Sequence, residues 1–568
     1  MKATVSRRQL LRYLGMGSAA TVLAACTPTP TPAPKVEPTK APAVAATAPV
    51  ATAAPVATAV PKPTAVPATK QPLTITYWVE LNSNVAATRK SYNELTCYVE
   101  MEKRTGVHVE FQHPPTGSGQ ALEQFNLIVA SGKYPDVMEY GWLGAPGGPG
   151  KYLKEKVIHR LNDPIDKQAP NLKKVLADHP DWRKQVTTDD GDMYVFPFLR
   201  GDPFLLVFFG PVARGDWLEK LKLQTPKTLD DWHAMLVAMK TKDPNGNGKA
   251  DEIPFSINRA GGKHTGLTTS HAFVGAWGMT MEWYQVNGAV KYAPLQPEFK
   301  EFLKLLAGWY KEGLIDPEYI SADKKAMDAK WTGHLFGAGC EYTGSGIGYF
   351  MGLMQGKDPS FKLIGLPYPV LKAGDKPMLG QRDNVFTGLG AAITTACKHV
   401  DEVAQWLDYA YGPEGHMLLN FGVEGVSYNM VNGYPRYTDD VLKNPKGLPV
   451  NQGMGQHARS NHNGPFVQDR RYFEQYLQYQ EQKDAVTTWT EPTNERLMPP
   501  VTPTQDESKK FASIMNDVKT RFEEAFDKTI TGAEPVENWD KVVAQFKQMG
   551  IEEAVKIRQA ALDRYNKR

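Results

Sequence analysis

The chain is poor in cysteine and carries no excess of charge of either sign. Its four cysteines among 568 residues are too few and too far apart for a disulfide framework or a metal cluster. Lys and Arg total 65 against 62 Asp and Glu and form no long basic stripe, which excludes a typical nucleic-acid-binding surface. We expect Cys97, Cys340 and Cys397 to be buried free thiols, and a bridge between two of them outside the cytosol is the alternative.

Long apolar runs are also missing. The apolar stretch at residues 10–25 is interrupted by polar residues and is too short for a stable transmembrane helix. It follows Arg7 and Arg8 and ends in small residues directly before Cys26, which predicts a lipoprotein signal peptide over residues 1–26 with a lipid on Cys26. The expected location is therefore the outer face of the cytoplasmic membrane. Because the two arginines also resemble a twin-arginine signal, the export route stays open.

Residues 27–72 lack aromatic residues, Leu and Ile altogether. They contain only Pro, Ala, Thr, Val, Lys, Glu and Gln, and such a segment cannot bury enough apolar surface to offset the entropy of folding. Frequent proline also favours an extended chain. We predict a disordered tether, with a disordered interaction region as the alternative.

The remaining part of about 500 residues is long enough for two or three domains with sizeable cores. Alternating β-branched and aromatic residues predict three strands, and the segments between them predict helices. The strands are expected at 73–79, 107–111 and 134–140, and the helices at 88–104 and 120–131. Strands that alternate with helices favour a parallel sheet in an α/β domain. Further on, two apolar runs flank Arg200 and Asp202, and we interpret this segment as a crossing between two lobes.

The most specific local pattern is an Asp/Asn/Gly-rich loop at residues 243–252. It places side-chain oxygens at alternate positions and glycines where the chain must turn tightly, and Ca²⁺ takes about six to eight oxygen ligands. The predicted ligands are Asp243, Asn245, Asn247, the backbone carbonyl of Lys249, Asp251 and Glu252. Glu252 comes too early for an EF-hand, and Pro254 argues against an exiting helix. A structural calcium site is predicted, and an ion-free turn is the alternative.

Several segments, in this order and spacing, resemble the family 1 extracellular solute-binding proteins of ABC importers, in particular the lipoprotein-type, alginate-binding-like branch. The resemblance covers essentially all of residues 73–568. The segments that carry it are 215–221, 226–232, 242–249, 251–254, 313–317, 391–395, 411–415 and 421–428.

This resemblance implies an α/β, two-lobed periplasmic-binding-protein-like fold (type II) with the ligand cleft between the lobes. The N-terminal lobe is expected from 73–198 and about 382–430, and the C-terminal lobe from 199–381 and 431–568. It also implies calcium at the loop of residues 243–252. The expected partners are an oligosaccharide and the permease subunits of the transporter, with the protein itself a monomer.

A sugar presents apolar C–H faces and a rim of hydroxyls, so its site needs aromatic platforms and polar groups beside them. The candidate platforms are Trp142, just past the third predicted strand, Trp277 and Tyr342. The candidate polar ligands are Glu80, Asn82, Arg200, Asp202, Arg382 and Glu424. The alternatives are packing of each aromatic ring in a loop and a surface or hinge ion pair for each polar residue.

Other aromatic residues are assigned differently. Trp217, Trp232 and Trp406 fall at helical spacing beside apolar residues, which predicts packing in a core. The tyrosines at 472, 476 and 479 either line the mouth of the cleft or have no role in binding.

No catalytic motif accompanies these residues, and we expect a binding protein rather than an enzyme. A glycosidase needs two carboxylates at a set separation, which sequence alone does not exclude, but neither a nucleophile elbow nor an HExxH motif occurs. A ligand-sensing subunit that reports to a membrane kinase is the other alternative. The near-neutral charge favours neutral oligosaccharides, although Arg200 and Arg382 leave an anionic sugar open.

Overall fold

The computed structural model describes residues 73–115, 119–257, 265–460 and 463–568. The predicted signal peptide, the lipidation site Cys26 and the tether lie outside these residues. Within the described ranges, no helix is both long enough and apolar enough to cross a membrane.

The strands and helices alternate along most of the chain. The strands are β1 (Leu73–Trp78), β2 (Val107–Gln112), β3 (Val137–Gly141), β4 (Phe196–Pro197), β5 (Leu199–Arg200), β6 (Phe209–Arg214), β7 (Ile253–Phe255), β8 (Trp283–Val286), β9 (Ala289–Tyr292), β10 (Phe336–Tyr342), β11 (Leu363–Gly365), β12 (Leu389–Ile393), β13 (Tyr428–Val431), β14 (Tyr434–Tyr437) and β15 (Val467–Gln468). The helices are α1 (Ser83–Ala86), α2 (Thr96–Thr105), α3 (Gln120–Ser131), α4 (Gly148–Lys154), α5 (Asn162–Gln168), α6 (Pro170–Asp178), α7 (Pro180–Val186), α8 (Gly215–Leu221), α9 (Leu229–Thr241), α10 (Thr265–Ser270), α11 (Pro297–Lys311), α12 (Lys324–Thr332), α13 (Tyr349–Met354), α14 (Val400–Asp408), α15 (Pro413–Phe421), α16 (Asp439–Leu442), α17 (Val450–Gly455), α18 (Arg470–Tyr476), α19 (Gln480–Trp489), α20 (Gln505–Ile530), α21 (Trp539–Gln548) and α22 (Ile551–Lys567).

The N-terminal lobe is built on a five-stranded sheet in the order β2-β1-β3-β12-β4. The predicted strands and the helix at 120–131 are confirmed, whereas the helix expected from residue 88 begins only at Thr96, after a short turn capped by Ser91. The first three strands are parallel, but β12 is antiparallel to β3 and β4. The sheet is therefore mixed rather than parallel, because β12 comes from a later pass of the chain that enters the lobe in the opposite direction.

The C-terminal lobe is built on a four-stranded sheet in the order β11-β6-β10-β7. Here β6 runs antiparallel to its neighbours β10 and β11, and β7 is parallel to β10. Trp217 and Trp232 are buried in this core, and Trp406 is buried in the N-terminal core, which confirms their assignment. The prediction of buried free thiols at Cys97, Cys340 and Cys397 is also confirmed.

A third, smaller core does not follow the predicted boundaries. It is assembled mainly from residues 421–486 with Leu205, and we call it the bridging cluster. Its buried members are Leu205, Phe421, Tyr428, Tyr437, Val441, Met454, Tyr472, Phe473, Leu477 and Val486. The segment from 431 to about 480 was expected in the C-terminal lobe, but its apolar side chains pack on one another instead.

A buried ion pair joins the bridging cluster to the N-terminal sheet. Arg459 places Nη2 2.6 Å from Oε1 of Glu139 on β3, and both side chains are almost completely buried. Nη1 of Arg459 donates to Tyr98 at 2.8 Å, the guanidinium lies 4.3 Å from the ring centre of Tyr92, and Tyr77 donates to the other oxygen of Glu139 at 2.8 Å. The charges are thus held by hydrogen bonds on several sides, which is the condition for burying them at tolerable cost.

Glu139→Gln should destabilise the protein strongly, because it leaves the Arg459 charge buried without its counter-charge. We expect a loss of about 3–5 kcal/mol in the free energy of unfolding, measured by urea denaturation. The control is Glu100→Gln, which removes an exposed partner of Arg104 and should cost about 1 kcal/mol or less. Equal losses in both variants would contradict the role given to the buried pair.

The chain crosses between the lobes three times, and the connecting segments lie side by side. Arg200 of β5 donates its backbone N–H to Val385, Asp383 donates its own to Leu206, and β5 pairs in parallel with β15. The predicted crossing at Arg200 therefore lies at this junction.

The C-terminal end of the chain makes a further contact between the lobes. Arg564 and Arg568, at the end of α22, both donate to Asp189 in a loop of the N-terminal lobe, with Nε–Oδ2 and Nη2–Oδ1 distances of 2.6 Å.

Candidate functional site

A groove lies between the C-terminal lobe and the bridging cluster. It consists of three adjoining spaces: a side cavity of about 70 Å³, an inner cavity of about 200 Å³ and an outer cavity of about 520 Å³. Tyr342 lines the side and inner cavities, Gly344 and Tyr476 line the inner and outer ones, and Ser345 lines all three. They form one continuous path at the carboxyl end of β10, where ligands bind in open α/β sheets.

The two walls of the outer cavity belong to different parts of the fold. One wall comes from α12, α13 and the turn after β10, and the other from residues 447–452 and the start of α19. The part of the second wall at residues 447–452 is tied to the N-terminal lobe: Asn451 donates to Asn84 at 2.6 Å, and the backbone N–H of Cys97 donates to His457 at 3.0 Å. A change in the angle between the lobes would therefore change the width of this cavity.

Glycine lets the two walls approach each other closely. After Tyr342 the chain makes a wide π-helical turn over Thr343–Gly348. A Cβ atom at Gly344 would collide with the phenol of Tyr476, and one at Gly348 would collide with the amide of Gln482. Gln482 is buried and donates from Nε2 to the carbonyl of Thr343 at 2.7 Å. The turn and the segment of α18 and α19 are thus locked together around the groove.

Two of the predicted site residues meet at the inner cavity. Tyr342 ends β10, half-buried, with its ring parallel to that of Phe208 at 6.1 Å and edge-on to Phe209 at 4.3 Å. The guanidinium of Arg200 lies 5.0 Å from the centre of the same Phe208 ring. Tyr342 and Arg200 both line the inner cavity, which is the arrangement expected of an aromatic platform and a polar ligand for a sugar.

Arg200 is held in place by the crossing segments themselves. Its Nη2 lies 3.2 Å from Oδ2 of Asp383, and Nη1 donates to the carbonyl of Leu205 at 3.2 Å and to Gln468 at 3.4 Å. Its buried Nε finds no partner among the residues that the structure describes. Burial raises the pKa of Asp383, while the positive charge of Arg200 acts to lower it. The cavity wall and the lobe junction therefore share one ion pair.

The tyrosines of the groove are mostly residues that the sequence did not single out as ligands. Tyr349 and Tyr479 line the outer cavity together with Leu353, and Tyr349 and Leu353 are 39% and 42% exposed there. Burial raises the pKa of Tyr476 to about 12, so its phenol is protonated at neutral pH. The signals that point to these residues are the glycine-rich turn after a strand and the tyrosines spaced along α18 and up to the start of α19.

Trp142 is a correction. It was expected as a platform, but its indole is completely buried in the N-terminal core and exposes no face to a ligand. The ring lies 5.6 Å from that of Phe125 and 5.5 Å from that of Tyr152, and Nε1 donates to the carbonyl of Gly390 at 3.1 Å. The sequence places Trp142 after the strand but does not show that the chain turns it back under the sheet.

Trp277 is also away from the groove. It is half-buried, packed edge-on against Phe302 of α11 at 6.3 Å, and lines none of the three cavities. Asn82 caps α1 by accepting from the N–H of Asn84 at 2.9 Å, which brings it near the wall at Asn451, and Glu80 is exposed just before it.

The remaining predicted polar residues have local roles. Asp202 caps the turn Pro203–Leu205 by accepting from the N–H of Phe204 at 2.8 Å. Glu424 is exposed and accepts from the N–H of Met430 at 3.4 Å, and Arg382 is exposed beside the crossing. None of the three lines the groove described above.

The loop of residues 243–252 gathers the predicted metal ligands. Oδ1 of Asp243 accepts from the N–H groups of Gly246 and Asn247 at 2.9 and 3.1 Å, and the amides of Asn245 and Asn247 both donate to Oδ1 of Asp251, at 2.9 and 3.1 Å. Lys249 contributes its backbone to the same loop, where its N–H donates to Asn247 at 2.7 Å.

Glu252 is the unusual member of the loop. It is only 7% exposed, and neither carboxylate oxygen has a hydrogen-bond partner within the described ranges. Burial raises its pKa, the nearby backbone N–H groups of Glu252 and Asn245 act to lower it without a hydrogen bond of normal geometry, and the negative charges of Asp243 and Asp251 raise it further. In the described part of the chain, no three acidic, His or Cys side chains converge closely enough to hold a metal by themselves. A cation here would need the amide and backbone oxygens as well.

Two lobes, a junction of three crossings and a groove between them define a two-lobed binding protein. Residues 81–417 match the family described as bacterial extracellular solute-binding protein. The chain belongs to this family, which confirms the predicted family and fold class. As a member of an extracellular family, it is an exported protein.

Two of the three relatives compared below are named as binding proteins. The fructooligosaccharide ABC transporter substrate-binding protein FusA of Streptococcus pneumoniae serotype 4 is 28% identical over 84% of this chain and 88% of FusA. Lipoprotein LipO of Bacillus subtilis strain 168 is 26% identical over 68% of this chain and 74% of LipO. The crystal structure of alginate-binding protein AlgQ2 without calcium ion shares 28% identity, covers 87% of this chain and 99% of AlgQ2, and has a TM-score of 0.69.

Gly344→Ala tests the close approach of the two walls. The added methyl group overlaps the phenol of Tyr476, so we expect a loss of about 1–3 kcal/mol in the free energy of unfolding. Introducing Gly344→Ala into a Tyr476→Ala background should cost much less, because the obstructing ring is gone. Urea denaturation of the four proteins in this double-mutant cycle measures the coupling, and additive losses would contradict the contact.

Proposed function

We propose that this protein is the solute-binding component of an ABC importer and captures an oligosaccharide in the groove between its lobes. The observation that carries the proposal is the arrangement of Tyr342, Tyr349, Tyr476 and Tyr479 along one continuous path, with Arg200 at its inner end. Aromatic faces suit the C–H faces of sugar rings, and phenol hydroxyls suit their rims. The substrates in the names of FusA and AlgQ2 support this class of ligand.

The mechanism follows from which wall belongs to which lobe. A sugar in the outer cavity touches α13 on one side and residues 447–452 on the other, so it gains both sets of contacts only when the lobes are closed. Ligand then shifts the population toward the closed form. Arg200 and Asp383 lie where the lobes join, so a ligand in the inner cavity contacts the junction itself. The permease would recognise the closed form, and no bond is broken.

The charge of the groove favours an uncharged sugar. Lys324 pairs with Asp328 at 2.6 Å, and Arg200 pairs with Asp383, so both cations of the groove already have partners. A carboxylated sugar would have to compete with these carboxylates.

Isothermal titration with neutral oligosaccharides such as fructooligosaccharides, and with oligouronates, tests the ligand class. We expect a neutral oligosaccharide to bind, and Tyr349→Ala to weaken binding by about tenfold, equivalent to about 1.4 kcal/mol. Trp277→Phe is the matched control and should leave the affinity unchanged, because this ring lies outside the groove. If no oligosaccharide binds, or if Trp277→Phe weakens binding as much as Tyr349→Ala, the site assignment is wrong. Conversion of a sugar to product would instead favour the enzyme.

The anchor and the destination of the ligand belong to the same proposal. A lipid on Cys26 and the tether of residues 27–72 would hold a monomeric binding protein at the outer face of the cytoplasmic membrane. The name of LipO, a lipoprotein, supports an anchor of this kind. A sensing role with a membrane kinase is the alternative, and loss of sugar uptake on deletion would separate import from sensing.

We further propose that the loop of residues 243–252 holds a structural Ca²⁺. The supporting observation is Glu252, whose buried carboxylate oxygens lack partners and are suited to a hard cation. The residues that would hold the ion are Asp243, Asn245, Asn247, Lys249 through its carbonyl, Asp251 and Glu252. Bound calcium would supply two positive charges against the three carboxylates and would fix the loop after α9.

Calcium removal tests this site. At calcium concentrations about 100 times Kd the ion should stabilise the fold by about 2.7 kcal/mol, which a chelator such as EGTA should abolish in thermal unfolding. Glu252→Gln should lose most of this response. Glu219→Gln, at an exposed residue of α8, should keep it. Indifference of the wild-type protein to the chelator would contradict the proposal.

A further inference from the structure

The groove formed by the side, inner and outer cavities is called the ligand groove below. A second groove, of about 460 Å³, lies on the other side of α18 and α19. The two helices show different faces to the two spaces: Tyr476 and Gln482 line the ligand groove, while Glu474 and Lys483 line the second one. The rest of its lining comes from the crossing, from β14 and from α18 and α19: Phe204, Tyr434, Arg436, Arg470, Gln475 and Thr487. It shares no lining residue with the inner, outer or side cavity.

The second groove differs from the ligand groove in its charge. Glu474 is held by Nε of Arg470 at 2.8 Å and by the hydroxyl of Tyr434 at 2.9 Å. Asp202, the other nearby carboxylate, lies 3.8 Å from Arg470. Arg436 and Lys483, in contrast, form no ion pair with any residue of the described ranges. Two positive charges in the lining of one groove are thus left without an ion-pair partner in the described part of the chain.

Aromatic rings hold the two guanidinium groups in place. The guanidinium of Arg470 lies 4.6 Å from the ring centre of Phe204, and that of Arg436 lies 6.0 Å from the ring centre of Tyr434. Stacking on a ring fixes the plane of a guanidinium, and the N–H donors along its edge stay available for a carboxylate or phosphate. The edge donors of Arg436 have no hydrogen-bond partner within the ranges that the structure describes, whereas Arg470 already uses Nε on Glu474.

We propose that the second groove binds a small ligand that carries an oxyanion, a carboxylate or a phosphate, on a sugar-sized ring. Arg436 binds the oxyanion through its edge, and Lys483 on α19 binds it from the other side. The ring lies along the apolar surface of Phe204 and Tyr434. This site is additional to the oligosaccharide site of the proposed function and does not depend on it.

The experiment titrates the full-length protein with glucuronate, glucose 6-phosphate and inorganic phosphate by isothermal titration calorimetry. We expect the two ring-borne oxyanions to bind in a saturable 1:1 manner and more tightly than inorganic phosphate, with an affinity that falls as salt is raised. Equal affinity for inorganic phosphate would overturn the part given to the aromatic rings. Absence of saturable binding would overturn the site.

Paired variants locate the binding. Arg436→Ala with Lys483→Ala should weaken oxyanion binding at least tenfold and leave neutral oligosaccharide binding unchanged. The charge-matched control, Lys541→Ala with Lys547→Ala on the exposed face of α21, should leave oxyanion binding unchanged. Tyr349→Ala should also leave it unchanged. Weaker oxyanion binding by the Lys541→Ala, Lys547→Ala control would mean that the attraction is non-specific. Weaker oxyanion binding by Tyr349→Ala would mean that the oxyanion enters the ligand groove. Either result overturns the proposal but leaves the oligosaccharide site intact.

Discussion

The architecture depends on the buried pair of Arg459 and Glu139. Glu139 lies on β3 in the middle of the N-terminal sheet, and Arg459 lies far along the chain, between the bridging-cluster residues Met454 and Tyr472. A charge buried this deeply is tolerated only next to its partner, so the pair fixes how the cluster sits on the N-terminal lobe. Hydrogen bonds from Asn451 to Asn84 and from Cys97 to His457 join the same two parts of the fold. One wall of the ligand groove is positioned in this way.

The other wall is fixed by backbone geometry rather than by charge. The glycine-rich turn after β10 lets Tyr476 and Gln482 pack directly against the C-terminal lobe. The bridging cluster is therefore in contact with both lobes at once. Because packed interfaces switch between discrete arrangements rather than deform continuously, rotation of the lobes must be absorbed at the crossings around Arg200 and Asp383. This explains why the ion pair of the crossing is also part of the inner cavity.

Local patterns in the sequence predicted local structure well. The helix at 120–131 and the first three strands were readable because their apolar periodicity and the glycine at 132 act within a few residues. The tight turn of residues 243–252 was readable for the same reason, whereas its calcium ligands stay a prediction. Of the candidate ligands for a sugar, Tyr342 and Arg200 lie in the groove, because both lie at the end of a strand or at the crossing, where topology brings loops together.

The predictions that depended on distant packing were less successful. Nothing near Trp142 in the sequence shows that its ring meets Phe125 and Tyr152 beneath the sheet. In the same way, Tyr476 of α18 becomes a groove residue only because Gly344, more than a hundred residues earlier in the chain, leaves room for its ring. The bridging cluster was missed entirely, since it is assembled from side chains that no single helix or strand brings together.

The two grooves on either side of α18 and α19 follow one physical rule. In the ligand groove each cation has a carboxylate partner, Lys324 with Asp328 and Arg200 with Asp383, so an anionic ligand gains little there because it must displace a partner that is already in place. Behind the same helices, Arg436 and Lys483 form no ion pair within the described residues, so an oxyanion would not have to displace a carboxylate there. Aromatic rings line both spaces, so the rings alone do not separate the ligands. The pairing of the charges, more than their number, decides which chemistry each groove can bind.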